Sequence, residues 1–200
     1  MKQILILCFC VLSGITFSTN VNAVLGLPEN TARLGYSLGI AKLDIDDPDG
    51  FTNTSYTVQP YKLIYTDWWQ NGNRYWLEAF HQQTTIKPSE KFIGQHVKHT
   101  GVNFLIQKNY QINADIRPWL GMGMGFSVEQ YSKRHTIDKE GFLLEKYSDR
   151  KTKSIGVLLN LVNEWQVSKT STIGGSLFQR ISLNREITES LFSVYYLVRY

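Results

Sequence analysis

Apolar and polar residues alternate with a period of two along much of the chain. The clearest runs are Leu34–Ile40, Pro118–Phe126 and Ile155–Leu161, and Phe192–Tyr200 follows the pattern less strictly. Because successive side chains of a β-strand point to opposite faces, each run indicates a strand with one apolar face. The alternation predicts strands at about residues 32–44, 55–68, 74–84, 96–107, 113–128, 152–166, 171–182 and 187–200.

The connections between these predicted strands differ in length. Three are tight and lie around Gln70–Gly72, Lys108–Tyr110 and Ser168–Thr170. The others are mostly longer and more polar: the segment that contains Asp46–Gly50, then Lys87–Gln95, then 129–151, with a short last one at Leu183–Glu186. Tight turns at one end and mostly long loops at the other are typical of small membrane barrels. The predicted fold class is all-β, an eight-stranded antiparallel up-and-down transmembrane β-barrel.

The first residues have a different composition from the rest of the chain. Lys2 precedes the apolar run Ile4–Leu12, and Val21–Ala23 resembles a small-residue cleavage site. This pattern predicts a secretory signal peptide over residues 1–23 and a barrel domain over 24–200. Both cysteines, Cys8 and Cys10, lie in the signal segment, so disulfides and cysteine-based metal sites are excluded for the barrel. The formal charge of +4 in 200 residues does not point to nucleic acid as a partner.

The residues opposite the apolar rows separate a membrane barrel from a soluble one. A secreted lipocalin has an apolar pocket inside an eight-stranded barrel. Here the positions that alternate with the bulky apolar rows are mostly Gly, Ser, Asn, Arg and Glu. These residues lie on the opposite face of each strand and suit a narrow polar lumen better than an apolar pocket. We therefore expect the bulky rows to face lipid and the interior to be polar. Tyr36, Tyr196 and Tyr200 are candidates for the aromatic girdles at the membrane interfaces.

One hairpin tests which side chains lie inside. A two-residue turn at Asn71–Gly72 would place Lys62 and Glu78 on opposite faces, so that one charge would meet lipid. A three-residue loop over 70–72, with Gly72 in the left-handed position, places both charges on one face. We predict the three-residue loop, with both charges in the lumen. The same logic predicts a lumen charge network of Arg33, Lys62, Glu78, Arg117, Glu164 and Arg199, which either fills the barrel core or gates a narrow water path.

The predicted architecture resembles a known group of proteins. A signal peptide, a cysteine-free mature chain and eight alternating strands are similar to the OmpA transmembrane domain, OmpX-like and OmpW-like outer-membrane barrels of Gram-negative bacteria. The stretch Arg117–Phe126 is similar to a strand that these families carry, and Val194–Tyr200 to their C-terminal signal. The resemblance implies an outer-membrane location. It also implies recognition of Tyr196, Val198 and Tyr200 by the barrel-assembly machinery.

Catalytic and ligand-binding motifs are sparse. His96 and His99 lie three apart on one predicted strand and so point to opposite faces, which argues against a shared metal. The sequence contains no His-x-Ser pair of the kind that lipid A deacylases carry. The Gly121-x-Gly123-x-Gly125 run lies inside a predicted strand rather than before a helix, so it does not indicate a phosphate loop. We expect no catalytic residues, no metal and no cofactor.

The loop over 129–151 is the candidate recognition element. It contains six basic and five acidic residues and is nearly symmetrical about Asp138–Gly141, which predicts a hairpin beyond the membrane. We expect Ile137, Phe142 and Leu144 to form its binding tip. The predicted protein is a monomeric, non-enzymatic barrel in outer-membrane lipid. It recognises a host surface or envelope partner, or has a structural role in the envelope. The alternatives are a narrow OmpW-like channel for ions or small apolar molecules and a lipid A-modifying enzyme.

Overall fold

The computed structural model describes residues 32–45, 54–69, 72–110, 118–183 and 187–199, and these residues form an all-β structure. The signal segment, Arg117 and Tyr200 lie outside this range. The strands are β1 (Arg33–Ile45), β2 (Thr54–Val58), β3 (Tyr61–Trp69), β4 (Asn73–Ile86), β5 (Gly94–Asn109), β6 (Trp119–Ile137), β7 (Leu143–Lys146), β8 (Arg150–Gln166), β9 (Ser171–Ser182) and β10 (Ile187–Arg199). Within the described ranges, no helix is long and apolar enough to cross a membrane.

The sheet closes on itself because its first and last strands pair. β1 and β10 run antiparallel from Arg33 opposite Arg199 to Ile45 opposite Ile187. The other neighbours follow chain order, which gives an up-and-down barrel, as the sequence predicted. β2 and β3 occupy one position in the wall, so that eight strands surround the lumen and β7 stands outside the ring, paired with β6.

Pro60 explains why one predicted strand is divided in two. Ala41 pairs with Val58, and Leu38 pairs with Tyr61, so the register continues unchanged across the gap. Proline has no N–H to donate to the ladder, so hydrogen bonding stops at Pro60 without a bulge. Side chains on both sides of Pro60 therefore point to the same faces of the sheet as they would in an uninterrupted strand. Lys62 points to the inner face.

The turn between β3 and β4 has the predicted length. Trp69 pairs with Asn73, which leaves three residues, 70–72, in the connection. Gly72 has φ +72°, a left-handed conformation that glycine adopts without steric cost. The tight β8–β9 turn is held differently: the Ser168 hydroxyl accepts hydrogen bonds from the backbone N–H groups of Thr170 and Ser171.

The predicted tight turn at Lys108–Tyr110 is wrong. β5 continues to Asn109, which pairs with Trp119, and the Tyr110 N–H donates to the Pro118 carbonyl at 2.8 Å. The described part of β6 begins at Trp119, and positions 113–117 of the predicted strand lie outside the described residues. The polar cluster that suggested a turn is the end of a strand, where Lys108 turns outward beside the Tyr110 ring.

Candidate functional site

The outer wall carries an apolar belt of membrane thickness. On β5 the outward residues Val102, Phe104 and Ile106 are exposed and lie between Lys98 and Lys108. The two lysines are separated by ten residues, or about 33 Å along a strand. With the tilt of about 40° that barrel strands adopt, this corresponds to a belt about 25 Å high, which matches outer-membrane barrels.

Aromatic side chains gather at the end of the belt where β1 begins and β10 ends. Trp69 stacks on Tyr75 with ring centroids 5.2 Å apart, and Tyr36 lies 6.3 Å from Tyr196. The Tyr196 hydroxyl also donates to Ser171 Oγ at 2.9 Å. Tyr196 and Val198 of the predicted assembly signal both point outward, since the inward positions of β10 are the odd-numbered ones.

The centre of the lumen holds an ion pair that belongs to the predicted network. Lys62 Nζ donates to Glu78 Oε2 at 2.9 Å, and each residue is only 3% exposed. Trp76 Nε1 donates to the other carboxylate oxygen at 2.8 Å, and Asn103 Nδ2 donates to Oε2 at 3.1 Å. Arg180 Nη1 donates to Asn103 Oδ1 at 3.2 Å. This bond extends the network towards the end of the barrel that carries the β6–β7 pair, which we call the hairpin end. We call this group the central layer.

The central layer continues through a buried carboxylate. Arg180 Nη2 donates to Ser127 Oγ at 2.6 Å. Glu129 Oε1 accepts from the hydroxyls of Ser127, at 2.8 Å, and Ser154, at 2.6 Å. His99 Nε2 lies 3.6 Å from the same oxygen, beyond hydrogen-bond distance. All five side chains of this serine, histidine and glutamate group are buried among the described residues.

A second group of polar side chains lies at the end of the lumen where β1 begins and β10 ends. Glu164 Oε1 accepts from Arg74 Nη1 at 2.7 Å and from the Tyr195 hydroxyl at 2.8 Å. Arg33 lies 4.0 Å from the second oxygen, and Arg74 Nε donates to Gln107 Oε1 at 2.5 Å. Arg199 stands opposite Arg33 on the inner face of β10. Of the predicted lumen network, Arg33 and Glu164 therefore lie together in this group. Lys62 and Glu78 lie in the central layer.

The prediction of a polar interior is only partly right. Large apolar side chains are buried between the polar groups and towards the hairpin end: Leu43, Ile45, Ile64, Ile86, Val97, Leu105, Leu158, Phe178 and Ile187. Their inward positions follow the same alternation as the charged residues. An eight-stranded barrel encloses only enough space for side chains, and the shortage of volume makes apolar packing as useful inside as polar pairing.

The predicted recognition loop is an extended hairpin. β6 continues to Ile137, and β7 pairs with it through His135 opposite Lys146. The Asp138 carboxylate accepts hydrogen bonds from the N–H groups of Glu140 and Phe142, and Gly141 has φ +91°. The exposed fractions at the tip are 67% for Phe142, 63% for Leu143 and 58% for Leu144. Ile137 is half-buried and pairs with Leu143, so it belongs to the base of the tip.

Solved structures with the same architecture include the following three bacterial proteins. Neisserial surface protein A matches with a TM-score of 0.61 and 11% identity, over 84% of this chain and 97% of that one. Ail, the attachment invasion locus protein of Yersinia pestis, matches with a TM-score of 0.52 and 12% identity, over 85% and 99%. OprG of Pseudomonas aeruginosa matches with a TM-score of 0.53 and 14% identity, over 85% and 94%.

The fold is that of the small outer-membrane barrels. No family model matches the sequence, and no curated protein matches it significantly. At identities of 11–14% the likeness concerns the fold alone. It agrees with the resemblance drawn from the sequence to small outer-membrane barrels.

Several buried ionisable side chains of this barrel were missed in the sequence. They are Arg74, His99, Glu129, Arg134, Arg180 and Glu189. Alternation could have found most of them, because Arg74 shares the inner row of β4 with Trp76 and Glu78. Arg134 is different: Lys133 has φ +58° and reverses the alternation of β6, so Arg134 points inward and donates to Gln95 Oε1 at 3.0 Å.

Proposed function

We propose that this protein is a non-enzymatic outer-membrane barrel that binds a partner at the cell surface through the tip of the β6–β7 hairpin. The observation that carries the proposal is the exposed apolar run Phe142–Leu144 on a hairpin that projects past the barrel wall. Soluble surfaces rarely present three consecutive large apolar side chains to water without a binding role. Burying each of them against a partner would contribute about 1.5–3 kcal/mol.

The hairpin also offers a strand edge. Among the described strands, β7 pairs only with β6, so its other edge has N–H and C=O groups available to an added strand. Backbone pairing along β7 and burial of Phe142 or Leu144 would occur in the same complex. This combination supports a protein partner of the host surface or of the envelope.

The packed lumen supports a role outside the barrel rather than transport through it. The central layer and the apolar side chains around it fill the interior, and the described lumen side chains are almost all buried. An OmpW-like channel is therefore the weaker candidate. Planar-bilayer recordings of the wild type and of Glu78→Gln test it, and we expect no open-channel conductance from either protein.

The test of the proposal is a triple substitution at the tip. A Gram-negative laboratory strain that displays Phe142→Ser, Leu143→Ser and Leu144→Ser should attach at least about tenfold less to epithelial monolayers or matrix-coated surfaces than one that displays the wild type. The matched control changes three polar residues of the same hairpin, Lys139→Ser, Glu140→Ser and Lys146→Ser. Surface labelling confirms equal display, and unchanged attachment of the tip variant would overturn the proposal.

A further inference from the structure

One buried carboxyl group of the lumen lies outside the hydrogen-bond network of the central layer. Glu189 points inward from β10, and only 1% of the residue is exposed. Within the described residues, no group donates a hydrogen bond to either oxygen of its carboxyl group. An ionised carboxylate that is buried without a donor is strongly unfavourable, so the protonation state of Glu189 needs a physical explanation.

The two cations beside Glu189 are bonded to other groups. Lys62 Nζ donates to Glu78 and lies 3.8 Å from the centre of the Phe178 ring. Arg180 is the cross-strand partner of Glu189 on β9, but its two Nη atoms donate to an amide oxygen and a hydroxyl oxygen of other strands. Neither cation therefore forms a direct ion pair with Glu189.

The formal charges around Glu189 do not balance when every carboxyl group is ionised. Three carboxylates face two cations, and one imidazole lies beside them: Glu78 on β4, Glu129 on β6, Glu189 on β10, Lys62 on β3, Arg180 on β9 and His99 on β5. The inward neighbour on β1, Leu43, is apolar. One added positive charge makes the sum zero. Among the described side chains, no three histidines or carboxyl groups are arranged to hold a metal ion, so a proton is the cation that fits best.

The side chain of Gln82 provides an acceptor for this proton. Gln82 is 1% exposed and adjoins Glu189, and its Nε2 donates to His99 Nδ1 at 2.7 Å. Its Oε1 is buried and accepts no hydrogen bond from the described residues. A carboxylic acid at Glu189 has one O–H group to donate, and it would satisfy an oxygen of each residue in a single hydrogen bond.

We propose that Glu189 is a proton-binding site of the folded barrel, which at neutral pH holds a carboxylic acid that donates to Gln82 Oε1. The competing location for the proton is His99, as an imidazolium ion beside Glu129. The distance of 3.6 Å between His99 Nε2 and Glu129 Oε1 is too long for that pair, because charge-assisted hydrogen bonds are about 2.7–2.9 Å. With the proton on Glu189, hydrogen bonds run in one direction from β10 through Gln82 to His99.

Infrared spectroscopy of the full chain in phospholipid vesicles tests this proposal directly. At neutral pH the wild type should show the carbonyl band of a protonated carboxylic acid, and Glu189→Gln should remove it. Glu164→Gln is the matched control, because Glu164 is a lumen carboxylate that already accepts from Arg74 and Tyr195. It should keep the band. A wild type without the band, loss of the band in Glu164→Gln, or an imidazolium His99 in ring-nitrogen NMR would overturn the proposal.

The pH dependence of unfolding gives a second test. The folded barrel holds a proton that the unfolded chain releases above the ordinary glutamate pKa of about 4.3, so stability falls as pH rises. Between about pH 5.5 and pH 7, the unfolding constant of the wild type should rise about tenfold more per pH unit than that of Glu189→Gln, whose amide keeps a neutral donor. Glu164→Gln should keep the dependence of the wild type. A Glu189 side chain with only a packing role would change stability equally at every pH, and parallel curves for the wild type and Glu189→Gln would overturn the proposal.

Discussion

The central layer of the lumen and the tip of the hairpin reverse the usual placement of residues in opposite ways. Lys62 and Glu78 are charged and almost completely buried, whereas Phe142 and Leu143 are apolar and mostly exposed. The buried charges are satisfied by each other and by Trp76 and other donors, so their position stabilises the fold. The exposed apolar groups lie outside the core cluster of buried residues. The difference separates the region that holds the barrel together from the region that is available to a partner.

The largest effect should come from removing one member of the buried pair. Lys62→Met leaves the Glu78 carboxylate in the lumen without its counter-ion, and an uncompensated buried charge costs about 3–5 kcal/mol. We expect the free energy of unfolding to fall by that amount. Urea titration of the barrel in phospholipid vesicles, followed by tryptophan fluorescence, measures it.

A double substitution sharpens this test. Combining Lys62→Met with Glu78→Gln removes both charges and keeps one amide oxygen, which can accept from either Trp76 or Asn103, the donors to the two carboxylate oxygens. Most of the lost stability should return, because a buried pair replaced as a whole is often nearly neutral. If the double variant is as unstable as Lys62→Met alone, the cost arises from packing around Lys62 and not from the unpaired charge.

The barrel could be predicted from the sequence because the alternation of apolar and polar residues indicates which face of the sheet each residue occupies. Strand number, closure and the three-residue loop before Asn73 all follow from that pattern and from the cost of a charge in lipid. The end of β5 did not follow, since the polar residues Lys108 and Asn109 mark a strand end at an interface as readily as a turn.

The contents of the lumen were less predictable than its wall. A wall position requires only an apolar side chain, whereas a lumen position depends on which neighbours fill the remaining volume. Charged and apolar residues therefore mix along the inner row of a strand, as Glu78 and Phe80 do. The backbone at Lys133 adds a further difficulty, because a single left-handed residue reverses the faces of all that follow on β6.

Arginine substitutions at two exposed apolar sites, one on the wall and one at the tip, should distinguish a surface that faces lipid from one that faces water. Met124 lies outward in the middle of the belt and is 58% exposed, a fraction similar to that of Phe142. Met124→Arg should lower the free energy of unfolding in vesicles by about 2–4 kcal/mol, because its charge enters the bilayer midplane. Phe142→Arg should change it by less than about 0.5 kcal/mol. Equal effects of the two substitutions would show that the belt does not face lipid.

A smaller loss of stability than that of Met124→Arg should come from the two described glycines with positive φ, Gly72 in a barrel turn and Gly141 in the hairpin turn. An added Cβ would meet no neighbouring atom within 4 Å at either position, so alanine brings only the backbone cost of the left-handed conformation, about 1–2 kcal/mol. Gly72→Ala should lower the global free energy of unfolding by that amount, since the turn joins two wall strands. Gly141→Ala should leave it unchanged and instead speed amide hydrogen exchange over residues 138–146 by about tenfold. If both variants lower global stability equally, the hairpin and the barrel unfold as one cooperative unit, and the tip is less independent of the wall than its exposure indicates.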